Sequence, residues 1–244
     1  MKQRVLIVGG GGGIGSAVAR LVVGGGGRVF LAGRDDGRLG AVGDELGMPW
    51  ATVEATDPDS LDACADRAAA ELGGLDGIAN CVGSIFLKPA HLTSAADWQA
   101  TLATNLTSAF GCVRAAGRLM KAEGGSVVLV SSAAARIGLA NHEAIAAAKA
   151  GIIGLVLSAA ATYARQRIRF NAVAPGLVRT PLAAGLVASE LAEKASVAMH
   201  PLGRLGEAGD VARAIVWLLD PAQSWVTAQV IGVDGGLADV KSRA

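Results

Sequence analysis

The sequence contains little cysteine and no excess of charge of either sign. Its three cysteines, Cys64, Cys81 and Cys112, are an odd number and form no CxxC pair, which argues against a disulfide framework or a zinc site. We therefore expect buried thiols in a reducing compartment. The formal net charge is +1 and basic residues are not clustered, so neither nucleic acid nor a membrane surface is an expected partner.

Features of a signal peptide are also missing. The N-terminal residues enter strand-like sequence without an apolar region and a cleavage site, which predicts a cytoplasmic protein. Residues 144–164 have about the length of a membrane span and contain Lys149 as their only charge. Because this segment is rich in alanine and glycine and is followed by arginines, we interpret it as a helix buried within the fold.

Apolar residues are abundant and occur in an alternating pattern. Hydrophobic residues make up 52% of the 244 residues and charged residues 18%, enough for a large core. Short β-branched or apolar runs alternate with alanine-rich stretches of helix length. This pattern predicts an α/β Rossmann fold, a doubly wound parallel sheet of about seven strands with helices on both faces. No linker or repeat divides residues 1–244, so we expect one domain that includes the substrate pocket. The predicted strands are residues 5–8, 29–32, 51–54, 77–79, 127–130, 168–172 and 230–233.

A run of glycines follows the first predicted strand. Residues 9–15 read GGGGGIG and precede a helical pattern at residues 16–23. Glycines let the backbone turn tightly and approach a pyrophosphate, whose charge then lies at a helix N-terminus. The position of the run between the first strand and the first helix predicts a nicotinamide dinucleotide site.

Further motifs follow the glycine run in order along the chain. The spacing GxxxGxG on Gly9, Gly13 and Gly15, together with NCVG at residues 80–83, resembles the short-chain dehydrogenase/reductase family. The resemblance runs nearly end to end and implies an NAD(P)-dependent oxidoreductase that transfers hydride to or from a small molecule. The other motifs that carry it are Asn105, Ser131, Ser132, Lys149, Asn171, Pro175, Gly176 and residues 201–204 and 233–236.

The resemblance assigns cofactor-binding roles along much of the chain. Asp57 falls where the family's aspartate contacts the adenine, and Asn80 where the loop after the fourth strand supports the cofactor. The segment from Pro175 to Thr180 resembles the loop that holds the nicotinamide amide. The expected cofactor-binding residues are Gly9, Gly13, Ile14, Gly15, Arg34, Asp57, Asn80, Gly83, Lys149, Pro175, Gly176, Val178 and Thr180.

The end of the second predicted strand bears on the choice of cofactor. An acidic residue there would bind the ribose hydroxyls of NAD, whereas arginine suits a 2′-phosphate. Gly33 occupies the position of the acid and Arg34 follows it, as in relatives that prefer NADP, so NADPH is favoured over NADH. Many of those relatives carry a second basic residue where this chain has Gly12, and a solvated surface role for Arg34 is the alternative.

The active-site residues of the family are present except one. In the family, asparagine anchors a water relay, serine holds the substrate oxygen, tyrosine exchanges its proton and lysine lowers the pKa of the tyrosine. Asn105, Ser132 and Lys149 lie at the expected separations. Four residues before Lys149, on the same helix face, the chain has Ile145 instead of tyrosine.

Three hypotheses address this missing proton donor. His142 precedes Lys149 by seven residues, the position of the tyrosine in related enoyl reductases, and histidine exchanges protons readily near neutrality; its alternative role is an exposed first-turn residue capped by Asn141. The second candidate donor is water, which would protonate an enolate stabilised by Ser132 and Lys149 during a conjugate reduction. The dienoyl-CoA reductases of the family also lack tyrosine at this position. The third hypothesis is that the protein binds a dinucleotide without turnover and acts as a sensor or partner subunit. The chain's one tyrosine, Tyr163, lies too far along the helix and is assigned to packing.

Substrate contacts and assembly are predicted by analogy. Residues 84–88, 133–137 and 180–200 are expected around the substrate. Three basic residues in or beside these segments could attract an acidic or CoA-like substrate; the alternative for each is a solvated surface charge. They are Lys88, Arg136 and Arg179. The helices after Ile145 and at residues 98–120 resemble those that pack between subunits, so we expect a homodimer or homotetramer.

Overall fold

Strands and helices alternate along the chain in a single α/β domain. The computed structural model describes residues 3–241; the ends of the predicted domain, residues 1–2 and 242–244, lie outside the described residues. Within residues 3–241 the strands are β1 (Arg4–Val8), β2 (Arg28–Gly33), β3 (Trp50–Thr52), β4 (Gly77–Asn80), β5 (Gly125–Val130), β6 (Ile168–Pro175), β7 (Val178–Arg179), β8 (Gly206–Glu207) and β9 (Val230–Val233). The α-helices of the same range are α1 (Gly13–Gly24), α2 (Asp36–Leu46), α3 (Pro58–Leu72), α4 (Ala95–Leu102), α5 (Ser108–Leu119), α6 (Glu143–Tyr163), α7 (Glu190–Ala198) and α8 (Ala208–Leu219).

The main sheet has seven parallel strands in the order β3-β2-β1-β4-β5-β6-β9. The order reverses direction between β1 and β4, and in sheets of this type ligands bind beyond the carboxyl ends of the strands at such a switch point. The glycine run begins there, directly after β1. The predicted doubly wound Rossmann fold is therefore confirmed.

Helices cover both faces of the sheet, so its strands are buried on both sides. In β1, Leu6 and Val8 belong to one hydrophobic cluster and Val5 and Ile7 to the other. Buried residues of α3, α5 and α6 complete the first cluster, and those of α1, α2 and α8 complete the second. This two-sided burial explains why the strands read as continuous apolar runs.

Helix α6 carries the apolar segment of membrane-span length. By length and composition alone, the helix with its following turn, Glu143–Gln166, could cross a membrane. In the fold α6 packs against β5 and β6, and its own residues Ile152, Val156 and Ala160 are buried in the core. The segment is therefore a helix that packs on the sheet along one face, while side chains such as Leu157 remain exposed on the other.

The observed boundaries differ from the predicted ones at several ends. Helix α1 begins at Gly13, three residues before the predicted start, because two of the first three helical residues are glycines and give no side-chain signal. Strand β3 is shorter than predicted, while β6 extends to Pro175. The N-cap of α6 is His142 rather than Asn141, whose φ of 64° places it in the left-handed region before the helix.

Candidate active site

The glycine run forms a tight turn whose backbone leaves no room for side chains. Gly9 has a φ of +84°, and a Cβ atom on it would lie 2.8 Å from the carbonyl carbon of Cys81. A Cβ atom on Gly15 would overlap the carbonyl oxygen of Gly9. Helix α1 starts at Gly13 with no acidic residue in its first turn, so its free N–H groups and positive dipole end suit a pyrophosphate. The run therefore fits the dinucleotide that the sequence predicts.

A cleft of about 760 Å³ extends from the glycine run across the ends of β2 and β3. Arg34 lines it, and so does Arg38 in the first turn of α2, a residue that the sequence reasoning missed. Arg38 lies 3.1 Å from the Asp35 carboxylate, which also caps α2. The guanidinium of Arg34 makes no hydrogen bond to any residue in the described range 3–241. Arg34 is thus available to a ligand at this end of the cleft, whereas Arg38 beside it is paired with Asp35.

The acidic residue beside the cleft differs from the predicted one. Asp57 is the N-cap of α3 and accepts a 3.0 Å hydrogen bond from the backbone N–H of Asp59; it does not line the cleft. Glu54 lines the cleft instead. Hydrogen bonds from the hydroxyl and N–H of Thr56 lower the pKa of Glu54 and keep it ionised. The ATDPDS sequence contains a good helix cap, and that local role uses Asp57.

Asn80 acts through the loop that follows β4. It is buried, its amide donates to the hydroxyl of Ser108 at 3.2 Å, and its carbonyl oxygen accepts the N–H of Val82 at 3.0 Å. The loop residues Cys81 and Gly83 line the cleft. Asn80 therefore shapes the wall of the cleft without lining it, which fits its predicted supporting role.

The segment after β6 closes the other side of the cleft. A Cβ atom on Gly13 would lie 2.8 Å from the Thr180 side chain, so Thr180 packs directly against the start of α1. Val178 is buried, and Pro175, Gly176 and Val178 line a second cavity. The predicted nicotinamide loop therefore lies between the glycine run and this cavity.

The second cavity has a volume of about 480 Å³ and adjoins the cleft. Its walls are mostly apolar, including Ile85, Leu139, Leu186 and Met199. Six residues line both spaces, so the far end of a nucleotide in the cleft would face the second cavity. The shared residues are Ile14, Cys81, Val82, Gly83, Thr180 and Leu182.

Asn105 and Lys149 both lie close to the loop at Gly83. A Cβ atom on Gly83 would lie 3.3 Å from Asn105 Oδ1 and 3.5 Å from Lys149 Nζ. Asn105 lies in a π-helical turn, Ala103–Thr107, between α4 and α5. It is fully buried, donates to the Ser84 hydroxyl at 2.9 Å and accepts the Ser84 N–H at 3.1 Å. A π-turn at a functional position is common because the widened backbone redirects a side chain.

Lys149 and Ser132 face the second cavity from α6 and from the end of β5. Lys149 is buried, and burial lowers the pKa of its ammonium from 10.5 to about 8. Near neutral pH it remains a cation. Ser132 is half-buried and its hydroxyl accepts the N–H of Ala134 at 3.1 Å, which leaves the O–H free to donate to a substrate oxygen. Together they form a polar patch at one end of an apolar cavity.

Ile145 and His142 line the same cavity. Ile145 is buried one turn before Lys149 and presents an apolar surface there. His142 is half-buried, and its Nδ1 lies 2.7 Å from the carbonyl oxygen of Ala140. A carbonyl accepts only, so Nδ1 carries the hydrogen and Nε2 is the nitrogen that is free to exchange a proton.

Three basic residues expected near the substrate are absent from the described cavity walls. Arg136 pairs with Asp239 at 2.7 Å, and Arg179 pairs with Glu193 and Glu207. Lys88 is exposed to solvent. The first two are neutralised by carboxylates that are remote in sequence, so they offer little attraction to an acidic substrate.

Tyr163 and the three cysteines have structural surroundings. The Tyr163 ring lies 5.6 Å from that of Phe170, which confirms its packing role. All three cysteines are free; Cys64 and Cys112 are buried and Cys81 is half-buried. Desolvation raises the pKa of Cys81 to about 12, so this residue presents a neutral thiol to the cavity.

Comparison with known proteins agrees with this architecture. A family model described as enoyl-(acyl carrier protein) reductase matches residues 9–238. Cis-4-hydroxycyclohexanecarboxylate dehydrogenase of Sinomonas cyclohexanicum is 41% identical over 245 residues, covering 98% of each chain. The structure of a short-chain type dehydrogenase/reductase from Mycobacterium ulcerans superposes with a TM-score of 0.92 and 31% identity, covering 98% of this chain and 91% of that one. Levodione reductase gives a TM-score of 0.93 at 27% identity, covering 99% and 100%.

The chain belongs to the short-chain dehydrogenase/reductase family. The match extends over nearly the whole chain and includes the glycine run, the sheet and the cavity walls. It is accordingly an NAD(P)-dependent oxidoreductase.

Proposed function

We propose that this protein is an NADP(H)-dependent oxidoreductase that reduces a carbonyl or a conjugated double bond of a largely apolar small molecule. The observation that carries the proposal is the adjacency of a glycine-lined cleft and an apolar cavity with Ser132 and Lys149 at one end. The cofactor supplies hydride when bound; the residues of the chain supply position, polarisation and a proton.

The NADP preference is supported by the charges at the adenosine end of the cleft. Arg34 follows Gly33 at the end of β2, so no acidic side chain occupies the position suited to ribose hydroxyls. Arg38 lines the same cleft, although Asp35 offsets its charge. The planar guanidinium of Arg34 is suited to bidentate binding of a phosphate.

Polarisation of the substrate oxygen is assigned to Ser132 and Lys149. The Ser132 hydroxyl can donate a hydrogen bond to a carbonyl oxygen, and the buried ammonium of Lys149 stabilises negative charge that develops nearby. Burial strengthens this interaction because little water competes with it. The sparse polar groups of the cavity favour a substrate whose remainder is apolar.

We assign the proton for the substrate oxygen to His142. Its Nδ1–H is held by the carbonyl oxygen of Ala140, which orients the ring and leaves Nε2 as the exchangeable nitrogen. When protonated, Nε2 can donate into the cavity that His142 lines. The residue thus combines a fixed orientation with access to the substrate space.

A second candidate is conjugate reduction in which water supplies the proton. Ile145 favours it, because an apolar side chain one turn before Lys149 cannot protonate a nascent alkoxide. An enolate stabilised by Ser132 and Lys149 is less basic than an alkoxide, so it can persist until a water molecule protonates it. This alternative needs no acid from the protein.

The test follows NADPH oxidation by absorbance over matched ketones and enones, with wild type, His142→Gln and His142→Ala. If His142 donates the proton, ketone turnover falls by about a hundredfold or more in both variants, since glutamine cannot act as an acid. Turnover of enones alone, unaffected by either substitution, would favour the water mechanism. Tight cofactor binding with no turnover in the whole panel would instead indicate a silent dinucleotide-binding protein.

Assembly and location are proposed on separate grounds. Trp98, Phe110 and Leu157 expose large apolar surfaces on α4, α5 and α6, which suits packing between subunits of a homodimer or homotetramer. The free cysteines suit a reducing compartment such as the cytoplasm. Sedimentation as a monomer would contradict the proposed assembly.

A further inference from the structure

His200 joins the end of α7 to the backbone after β6. Its side chain is buried, with 3% of the residue's surface exposed. Nδ1 lies 2.7 Å from the carbonyl oxygen of Ser196, and Nε2 accepts a 3.1 Å hydrogen bond from the N–H of Leu177. Both ring nitrogens are therefore engaged by backbone groups of two separate segments.

These two partners determine which nitrogen carries the hydrogen. A backbone N–H can only donate, so Nε2 must offer its lone pair to Leu177. A backbone carbonyl can only accept, so Nδ1 must carry the hydrogen that faces Ser196. With both nitrogens occupied in this way, His200 is not an alternative proton donor, although it borders the cavity.

The imidazole also fits closely against Gly176. A Cβ atom on Gly176 would lie 2.6 Å from Nε2 of His200, so the glycine allows the ring to reach the Leu177 N–H. The ring thus contacts two consecutive residues of the loop that lines the cavity. The contact therefore restricts the positions that this loop can adopt.

The same loop continues to the glycine run. Val178 is buried, and Thr180 lies against Gly13 and lines both the cleft and the cavity. A dinucleotide whose pyrophosphate lay at the glycine run would have this shared boundary beside its reactive end. A displacement of the loop would therefore disturb that end of the cofactor and spare the adenosine end.

We propose that His200 is a positioning residue that fixes the loop of residues 176–178 through Leu177 and couples it to α7. In this role it holds the backbone against the reactive end of the dinucleotide. Through Ser196 and Met199, which also line the cavity, it ties the same loop to the substrate side. The proposal rests on dinucleotide binding in the cleft and is independent of the 2′-phosphate preference and of the proton donor.

Two substitutions separate the roles of the ring nitrogens. In His200→Gln the side-chain carbonyl can reach the Nε2 position and accept the N–H of Leu177. In His200→Asn the shorter amide can replace the Nδ1–H toward Ser196 but does not reach Leu177. His200→Leu removes both bonds and keeps an apolar side chain of moderate size.

The readout is the affinity for a dinucleotide relative to a fragment without nicotinamide. Calorimetry would compare NADP⁺ with 2′-phospho-ADP-ribose, and NAD⁺ with ADP-ribose, for each variant, with melting temperatures to verify folding. We expect His200→Asn and His200→Leu to weaken the dinucleotide about tenfold while leaving the fragment unchanged, the effect of losing about one hydrogen bond. His200→Gln should retain most of the wild-type affinity for the dinucleotide.

Three results would overturn the proposal. They are equal losses for dinucleotide and fragment, glutamine behaving no better than asparagine, and wild-type binding that does not distinguish dinucleotide from fragment. A failure of the NADP preference would appear separately, as tighter binding of NAD⁺, and the NAD⁺ pair would then still test His200.

Discussion

The ammonium of Lys149 donates a 2.8 Å hydrogen bond to the carbonyl oxygen of Val130, the last residue of β5. The hydroxyl of Ser131 donates in the opposite direction, to the carbonyl oxygen of Lys149, also at 2.8 Å. These two bonds join α6 to the end of β5 beside Ser132. The buried charge is therefore held in place by backbone and side-chain contacts before any substrate arrives.

Replacement of this lysine is expected to stabilise the fold at neutral pH. Because burial lowers the pKa of Lys149 from 10.5 to about 8, the charged form costs the folded state about 3 kcal/mol below pH 8. That cost is relieved as the pH rises from 8 toward 10.5, where the unfolded chain also loses its proton. Lys149→Met removes this cost. The gain in free energy of unfolding is reduced by about 1 kcal/mol, because the Val130 carbonyl loses its hydrogen bond.

The measurement is urea unfolding of wild type and Lys149→Met at pH 7 and at pH 10. The advantage of the variant in free energy of unfolding should be largest at pH 7 and shrink at pH 10, while its turnover is lost. An advantage that does not change with pH would show that the lysine is not desolvated.

A phenol at position 145 is expected to introduce the missing proton donor. Ile145 lines the cavity one turn before Lys149, and the ammonium there would stabilise the phenolate that remains after a phenol at this position has donated its proton. Ile145→Tyr should reduce ketones about a hundredfold faster than Ile145→Phe, which matches it in size and lacks the hydroxyl. Equal rates of NADPH oxidation in the two variants would show that this position is not adjacent to the substrate oxygen.

Two glycines of α1 should respond in opposite ways to alanine. In Gly15→Ala the new methyl would overlap the carbonyl oxygen of Gly9, so we expect a loss of about 1–3 kcal/mol of stability and weaker dinucleotide binding. At Gly24 a Cβ atom would have no heavy atom within 4 Å, so Gly24→Ala should stabilise the protein by up to about 1 kcal/mol. Thermal unfolding and calorimetry on the pair would distinguish a packing requirement from a general effect of helix propensity.

Charge reversal at Arg34 should reverse the cofactor preference. The wild type is expected to bind NADPH more tightly than NADH, and Arg34→Asp to do the opposite, because aspartate repels a phosphate and accepts hydrogen bonds from ribose hydroxyls. The control variant is Arg20→Ala, which removes an arginine outside the cleft and should leave the preference unchanged. Arg20 of α1 pairs with Glu45 of α2 at 2.7 Å and does not line the cleft. Calorimetry that shows equal affinities in the wild type would contradict the assignment.

The sheet could be predicted from the sequence because its strands are buried on both faces. Short β-branched or apolar runs marked β1, β2, β5 and β6 directly, and their alternation with helices predicted the parallel topology. Helix ends were less predictable. At Gly13 the helix starts in glycines, and at His142 the capping position depends on the left-handed backbone of Asn141.

The candidate site was only partly visible in the sequence. Asn105, Ser132 and Lys149 follow a recognisable spacing, but their contacts depend on a π-turn that has no clear sequence signal. Asp57 was expected at the adenine end, yet a helix cap uses its carboxylate and Glu54 lines the cleft. His200 was not predicted because its hydrogen bond to Leu177 joins segments that only the folded chain brings together. Arg38 was not predicted because an arginine in the first turn of a helix reads as an ordinary surface charge.

The shared lining of the cleft and the cavity determines the order in which ligands should bind. Ile14, Val82 and Thr180 face both spaces, so a nucleotide in the cleft would cover part of the wall that a substrate meets. In the absence of nucleotide, the cavity has an open side and offers a substrate fewer contacts. We expect nucleotide to enter first and leave last, and ligand screens of the nucleotide complex to find tighter binders than screens of the protein alone.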